Sequence, residues 1–480
     1  VSDAPGDPSG PLAALPSYQP TAGPRTSAPV ESVWRLLPLL SGEVVGLEPA
    51  SVTAFLRHSL PSTWSLFRGV SRVAPLPPRI RRQSSPRPPE EEDDEPRARA
   101  LLAACSDAVG TRVASGALDV SLSGGVDSAV LCTLAARHAP GRVRAWSMDV
   151  HFADAVERHN ARTVARLAGV EQVDVPIPDA LLPDLFEPAV IANESAILNA
   201  RAVASFAFYA EAKRLGASVM LSGAGADEVL RGNPLALASA LARIEEDRRL
   251  ARTVLRAAVD NLGRSPDEAR GEPWSQEDGP ELSDAVRGGP WSQEDGPELS
   301  DAARGGPWSL QDTKASEEVL YAEWVLRELV LPPELRGARA HGLTVHTPYL
   351  DSRFADVALS LPESSLVREG VGKWLFRHAV RGLVPDEVRL ARKTPRYGHT
   401  ALSSPVRARW LELYRAWLSA SRLEPMEVID PTAVLMLLER YTRMEPQDPE
   451  ADGVDRLLMR LCSLAMLHAH AAHGSPCPES

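Results

Sequence analysis

Cysteine is scarce. Cys105, Cys132, Cys462 and Cys477 are the only four in 480 residues, with no CxxC pair and no histidine at metal-ligand spacing. That argues against a disulfide framework or a zinc site and points to a reducing compartment. Excess positive charge is also lacking: 52 basic residues face 64 acidic ones, a formal net charge of −12. Such a chain is poorly suited to wrapping nucleic acid through phosphate contacts. No apolar run approaches the ~18–20 residues that a membrane span needs. Residues 1–30 hold no basic stretch followed by an apolar one, so no secretory leader is expected. A cytoplasmic protein without membrane or nucleic-acid partners is the expectation.

What is present divides the chain. Residues 1–30 are rich in Pro, Ser, Gly and Ala and read as a disordered tail. Residues 31–83 carry apolar clusters (VWRLLPLL, TWSLFRGVSRVAPLPP) too few for a complete domain. Residues 84–96, SSPRPPEEEDDEP, read as an acidic, Pro-rich linker. From residue 97 to about 400, short apolar strands (ALDVSLS, VRAWSMDV, EQVDVPI, ASVMLSG) alternate with helical patterns such as ARALLAACSDAVGTRV. That alternation predicts an α/β domain, a parallel sheet with helices on both faces. Residues 264–312 interrupt it with two near-copies of WSQEDGPELSDAVRGGP, a polar unit with no apolar face to stack. An exposed, disordered insertion is predicted rather than a solenoid. Residues 401–480 read as a helical extension, and His468, His470 and His473 at its fraying end are not read as metal ligands.

The chemistry concentrates at strand ends. Ser123-Gly124-Gly125-Val126-Asp127-Ser128 follows an apolar strand and opens a helix. Glycines let the backbone approach a phosphate, amide N–H groups point inward, and the helix N-terminus favours negative charge. Asp127 would repel a bare phosphate, so it makes sense with a divalent cation between them. The loop is not GxxxxGK[ST], because it lacks the lysine.

This hexapeptide resembles the signature of the ATP pyrophosphatases, which cleave ATP between the α- and β-phosphates. Three further stretches resemble the asparagine synthetase family. They are LSGAGADE (221–228), TPYLDSRF (347–354) and KWLFRHAVRGLVPDEVRLARK (373–393). β-Lactam synthetases, carbapenam synthetases and lasso-peptide cyclases belong to the same group. The resemblance implies an adenine nucleotide alpha hydrolase-like fold of the ATP pyrophosphatase type. It also implies an enzyme, a C–N ligase, that activates a carboxylate as acyl-AMP and passes it to an amine. ATP and Mg²⁺ are the implied cofactors.

Carried over by residue, the resemblance makes Asp127 and Asp227 the Mg²⁺ ligands. Leu122, Ser123, Gly124, Gly125, Asp127, Ser128, Met148, Ser222 and Gly223 become the ATP-binding set. Lys393 and Asp227 become catalytic, the lysine neutralising charge as the carboxylate attacks the α-phosphate. The departures are local. Ala224 stands where asparagine synthetases have Glu, and Thr344 and His346 replace a Glu and an Arg. Glu194, Glu317, Glu318, Glu323 and His346 are the candidates for a replacement base. The first cysteine, Cys105, lies inside the synthetase region, so the N-terminal glutaminase of the family is expected to be lacking. The substrates are then a small-molecule or peptide carboxylate and an amine: ammonia, free or supplied by a separate glutaminase or other partner protein, or an amine on the substrate itself. A true asparagine synthetase, a cyclase of the lasso-peptide or β-lactam kind, and an inactive nucleotide-binding homologue all remain open at this stage.

Overall fold

A computed structural model describes residues 15–21, 29–40, 46–60, 63–73, 94–152, 155–232, 234–256, 324–391 and 400–473. The tandem repeat, and the candidate bases Glu317, Glu318 and Glu323, lie outside the described residues, as does Lys393.

Near the start of the chain β1 (Ser17–Pro20) pairs antiparallel with β2 (Val70–Val73). Within the stretch expected as a disordered tail, residues 15–21 and 29–30 thus carry structure: Tyr18 is buried and also bridges to Val30. The central sheet is built from β3 (Asp119–Ser121), β4 (Arg144–Asp149), β5 (Glu171–Pro176), β6 (Val219–Leu221) and β7 (Thr344–His346). All its pairings are parallel, in the order β5-β4-β3-β6-β7. The chain therefore builds outward from β3 in one direction, then returns to the other side of it. The switch point lies between β3 and β6, and open sheets of this kind bind ligands outside the carboxyl ends of strands at such a point.

Alternate strand residues face opposite layers, as a two-residue repeat requires. Ala145 and Leu221 point into one core, with α1 (Asp94–Ala114), α2 (Val126–His138) and α3 (Ala155–Ala168). Trp146, Met220 and Val345 point into the other, with α4 (Leu182–Asn193) and α5 (Ala200–Arg214). Helix α1 begins at Asp94, inside the stretch expected as linker. Asp94 and Glu95 there favour a helix N-terminus, and they reach Arg368 and His378.

The second core continues into the C-terminal helices α6 (Arg407–Trp417), α7 (Pro431–Thr442) and α8 (Ala451–His473). It also takes in Tyr18, Trp34, Phe55 and Phe67 from the N-terminal segment. Trp34 packs edge-on against His470, and Leu47 N donates to His468 Nδ1 at 3.4 Å, so the end of α8 is packed over these residues. Cys105, Cys132 and Cys462 are free thiols within the cores. Among the described residues no helix is long and apolar enough to cross a membrane.

Candidate active site

The loop after β3 is tied to itself. Ser123 N donates to Ser128 Oγ at 3.1 Å, and Ser128 Oγ donates to Gly125 O at 3.1 Å. The two serine hydroxyls lie 3.0 Å apart. Ser128 is buried, so its hydroxyl shapes the turn from within. Gly124 has φ +88°, and a Cβ there would meet the Glu157 carbonyl at 1.9 Å. Only glycine admits both that conformation and that approach. Tyr349 OH donates to Asp127 O at 2.8 Å, pinning the first turn of α2 from the TPYLD stretch.

Across the switch point, the loop after β6 is held on three sides. Ser222 N donates to His346 O at 2.8 Å, and Ala224 N donates to Ser222 Oγ at 3.3 Å. Ser222 Oγ in turn donates to Glu334 Oε2 at 2.7 Å. The same oxygen accepts from Tyr209 OH at 2.5 Å. Burial, then the neighbouring Glu334, raises the Tyr209 pKa well above its ordinary value, so the phenol keeps its proton. The two loops touch: a Cβ on Gly223 would stand 3.4 Å from the Asp127 Cβ.

The carboxylates of Asp127 and Asp227 converge on one ammonium. Lys373 Nζ lies 2.7 Å and 2.6 Å from the two oxygens of Asp127 and 2.6 Å from Asp227 Oδ1. The lysine side chain is only 1% exposed. Its burial works against the charged form, but Asp127 and Asp227 outweigh it and raise the pKa. Gly232 makes the space: a Cβ there would fall 1.9 Å from Asp227 Oδ1 and 2.7 Å from Lys373 Cε.

Two acidic side chains around one cation are a fit for Mg²⁺, which takes hard oxygen donors and binds through one or two carboxylates with phosphates and water. Among the described residues no group of three or more His, Cys, Asp or Glu gathers as a metal cage. The remaining ligands would have to come from a nucleotide and solvent.

A family profile described as Asparagine synthase matches residues 100–469. The chain belongs to the asparagine synthase family. A shorter stretch aligns with curated relatives: 42% identity over 81 residues to the glutamine-hydrolyzing asparagine synthetase of Homo sapiens. Over the same length it is 41% identical to that of Rattus norvegicus and 40% to that of Gallus gallus. Each alignment covers 16% of this chain and 14% of the relative.

In this asparagine synthase-family chain, Ser123, Gly124 and Gly125 lie on the first loop and Ser222 and Gly223 on the facing one, with Asp127 and Asp227 in the first turns of the helices that follow. Met148 is near the end of β4, the neighbour of β3, and partly buried. Leu122 can offer only main chain, because its side chain is 1% exposed in the core. Its carbonyl accepts from Ser147 Oγ at 2.8 Å. Of the candidate bases, Glu194 is engaged elsewhere, 3.4 Å from Arg336 and accepting from Ser32 Oγ at 2.5 Å. His346 ends β7, beside the second loop.

Three contributors escape sequence reasoning. Lys373 heads the KWLFRHAV stretch, so its place in a matched motif was the available signal. Glu334 sits on a π-helical turn (Pro332–Arg336). Pro332 and Pro333 remove two N–H donors and disrupt the ordinary ladder, and π turns recur at functional sites. Tyr209 comes from α5 and carries no local motif. Toward Lys393, the described chain ends at Ala391. Arg377 Nη1 donates to Ala391 O at 3.1 Å, and Arg389 Nη1 donates to Arg377 O at 3.1 Å. These two arginines anchor the base of that segment.

Proposed function

We propose that this chain is an ATP-dependent, amide-bond-forming synthetase that adenylates a carboxylate and transfers the acyl group to an amine. The observation that carries the reading is the convergence of Asp127 and Asp227, from loops flanking the switch point, on buried Lys373. In the first half-reaction an oxygen of the substrate carboxylate bonds to the α-phosphorus. The bond from that phosphorus to the pyrophosphate oxygen breaks. The Gly124-Gly125 turn and the start of α2 offer main-chain N–H groups to phosphate oxygens. Mg²⁺ held by Asp127 and Asp227 would screen the phosphate charge against the incoming carboxylate. Lys393 is proposed to neutralise charge in the same step, as the family resemblance implies.

In the second half-reaction the amine attacks the acyl carbon and AMP leaves with the C–O electron pair. The amine proton needs an acceptor, and Ala224 supplies none. Glu334 supports this role because it brings a carboxylate to the second loop, oriented by Ser222 and Tyr209. The acyl donor is read as a small-molecule or peptide carboxylate. The acceptor is ammonia, free or delivered by a separate glutaminase, or an amine on the substrate itself.

Exchange of labelled pyrophosphate into ATP, with candidate carboxylates added, tests the first half-reaction. Asp127→Asn should lower exchange by at least about a hundredfold, the scale of losing one preorganised charge contact. Wild-type protein that binds ATP yet releases no pyrophosphate with any carboxylate would sink the reading.

A further inference from the structure

The site as built contains its own cation. Lys373 Nζ touches both oxygens of Asp127 and one of Asp227 at 2.6–2.7 Å. A divalent ion bridging these carboxylates would need oxygens at about 2.0–2.1 Å and would occupy the same volume. Lysine and metal cannot both sit there, since a +2 and a +1 charge in contact repel strongly in a partly buried site. We propose that Lys373 closes the nucleotide-free carboxylate pair to divalent metal, so that metal enters only together with nucleotide. The inference rests on reading Asp127 and Asp227 as the metal ligands.

Charge balance gives the direction of the exchange. The two carboxylates and the lysine sum to −1, and a bare divalent ion would leave the pocket net positive. A metal arriving with a polyphosphate brings its own negative charge, and the phosphate oxygens give the displaced ammonium a new partner. Lysine suits such a transfer because it is a compact charge on a flexible four-carbon stem. Lys373 has φ +59° at the start of a short helix (Trp374–Ala379), and Arg377 N donates to Lys373 O at 2.8 Å. The stem runs past Gly232, where a Cβ would stand 2.7 Å from Lys373 Cε. The exchange needs the lysine side chain to swing from the carboxylates to the phosphate oxygens.

Titrating the full chain with Mn²⁺ and following free Mn²⁺ by electron paramagnetic resonance tests this. α,β-Methylene-ATP, which cannot be cleaved at the reacting bond, is present or absent. Wild type should bind Mn²⁺ weakly alone and about a hundredfold more tightly with the analogue. Lys373→Met should raise affinity in the nucleotide-free state by about tenfold or more and shrink the gain the analogue brings. Lys373→Arg keeps a cation and should stay close to wild type without nucleotide. Equal Mn²⁺ affinity of wild type with and without the analogue overturns the proposal, and needs no variant to fold. So does a nucleotide-free Lys373→Met that matches wild type. If wild type takes up no Mn²⁺ even with the analogue, the metal-ligand assignment of Asp127 and Asp227 falls with it.

Discussion

Alanine at position 224 puts no carboxylate between the two glycines of the second loop, and a carboxylate from another part of the chain reaches that loop. Glu334 is linked to it through Ser222 at 2.7 Å. Glu334→Gln can still accept hydrogen bonds from Ser222 and Tyr209 but cannot take a proton. Pyrophosphate exchange should then survive while amide formation falls by about a hundredfold, the usual size of a lost general base. A variant that loses both activities equally would assign Glu334 to loop support only. The contrast with Asp127 shows what a sequence can carry. Asp127 and Asp227 could be picked out because each sits inside a short glycine-serine motif between an apolar strand and a helix. Lys373 and Glu334 were not, because their roles arise only when distant segments fold against those motifs. Lys393 belongs to a matched stretch, and the described residues end before it.

Among the elements, the C-terminal helices are joined by one buried carboxylate. Asp455 of α8 accepts from Tyr414 OH of α6 at 2.8 Å and from Tyr441 OH of α7 at 2.5 Å, and Ala401 N donates to it at 3.3 Å. Among the described residues no cation pairs with it. Burial pushes its pKa up to about 6, against the pull of Tyr441, Tyr414 and Ala401. The folded state thus holds this proton more tightly than the unfolded chain. Its contribution is full below the ordinary carboxylate pKa and is lost as pH rises toward about 6. The lost amount is about 3 kcal/mol at ~1.4 kcal/mol per pKa unit. Asp455→Asn should therefore stabilise the protein by about 1–3 kcal/mol above pH ~6 and by little below pH ~4, by thermal melts across that range. A stability difference that does not change with pH would refute this origin. The helices themselves were readable from their apolar spacing. The π-helical turns between residues 325 and 336 were not, since their cause is a backbone defect at two prolines rather than a change of period.

For the whole molecule, the N-terminal segment is bound into the shared core rather than standing apart. Arg72 Nη1 donates to Glu328 at 2.6 Å, both side chains almost fully buried, and the Arg336 guanidinium lies over the Tyr18 ring. Burial opposes the charge on Glu328, yet Arg72 and Arg327 hold its pKa down at about 2. A chain starting at Asp94 would lose Tyr18, Trp34, Phe55 and Phe67 from the core and leave Glu328 without Arg72. Each large aromatic removed from a core costs about 3–5 kcal/mol, so this truncation should not unfold cooperatively and should bind a hydrophobic dye. A truncated chain with the full-length melting point would contradict the shared core. The α/β class and the parallel sheet could be read from strand-helix alternation. The burial of Tyr18, Trp34, Phe55 and Phe67 could not, because the apolar clusters there are too few for a domain of their own and only the partner surface makes them core.

The central sheet is narrowest where its chemistry is set. β3 and β6 share only two register pairs, Asp119 with Met220 and Val120 with Leu221. The halves of the sheet that carry Asp127 and Asp227 thus meet along a seam two residues long. Lys373, arriving from outside the sheet, spans that seam at its open end. The side chain that bridges the acidic pair also clasps the two halves of the fold, so the strength of that join depends on what the lysine is holding.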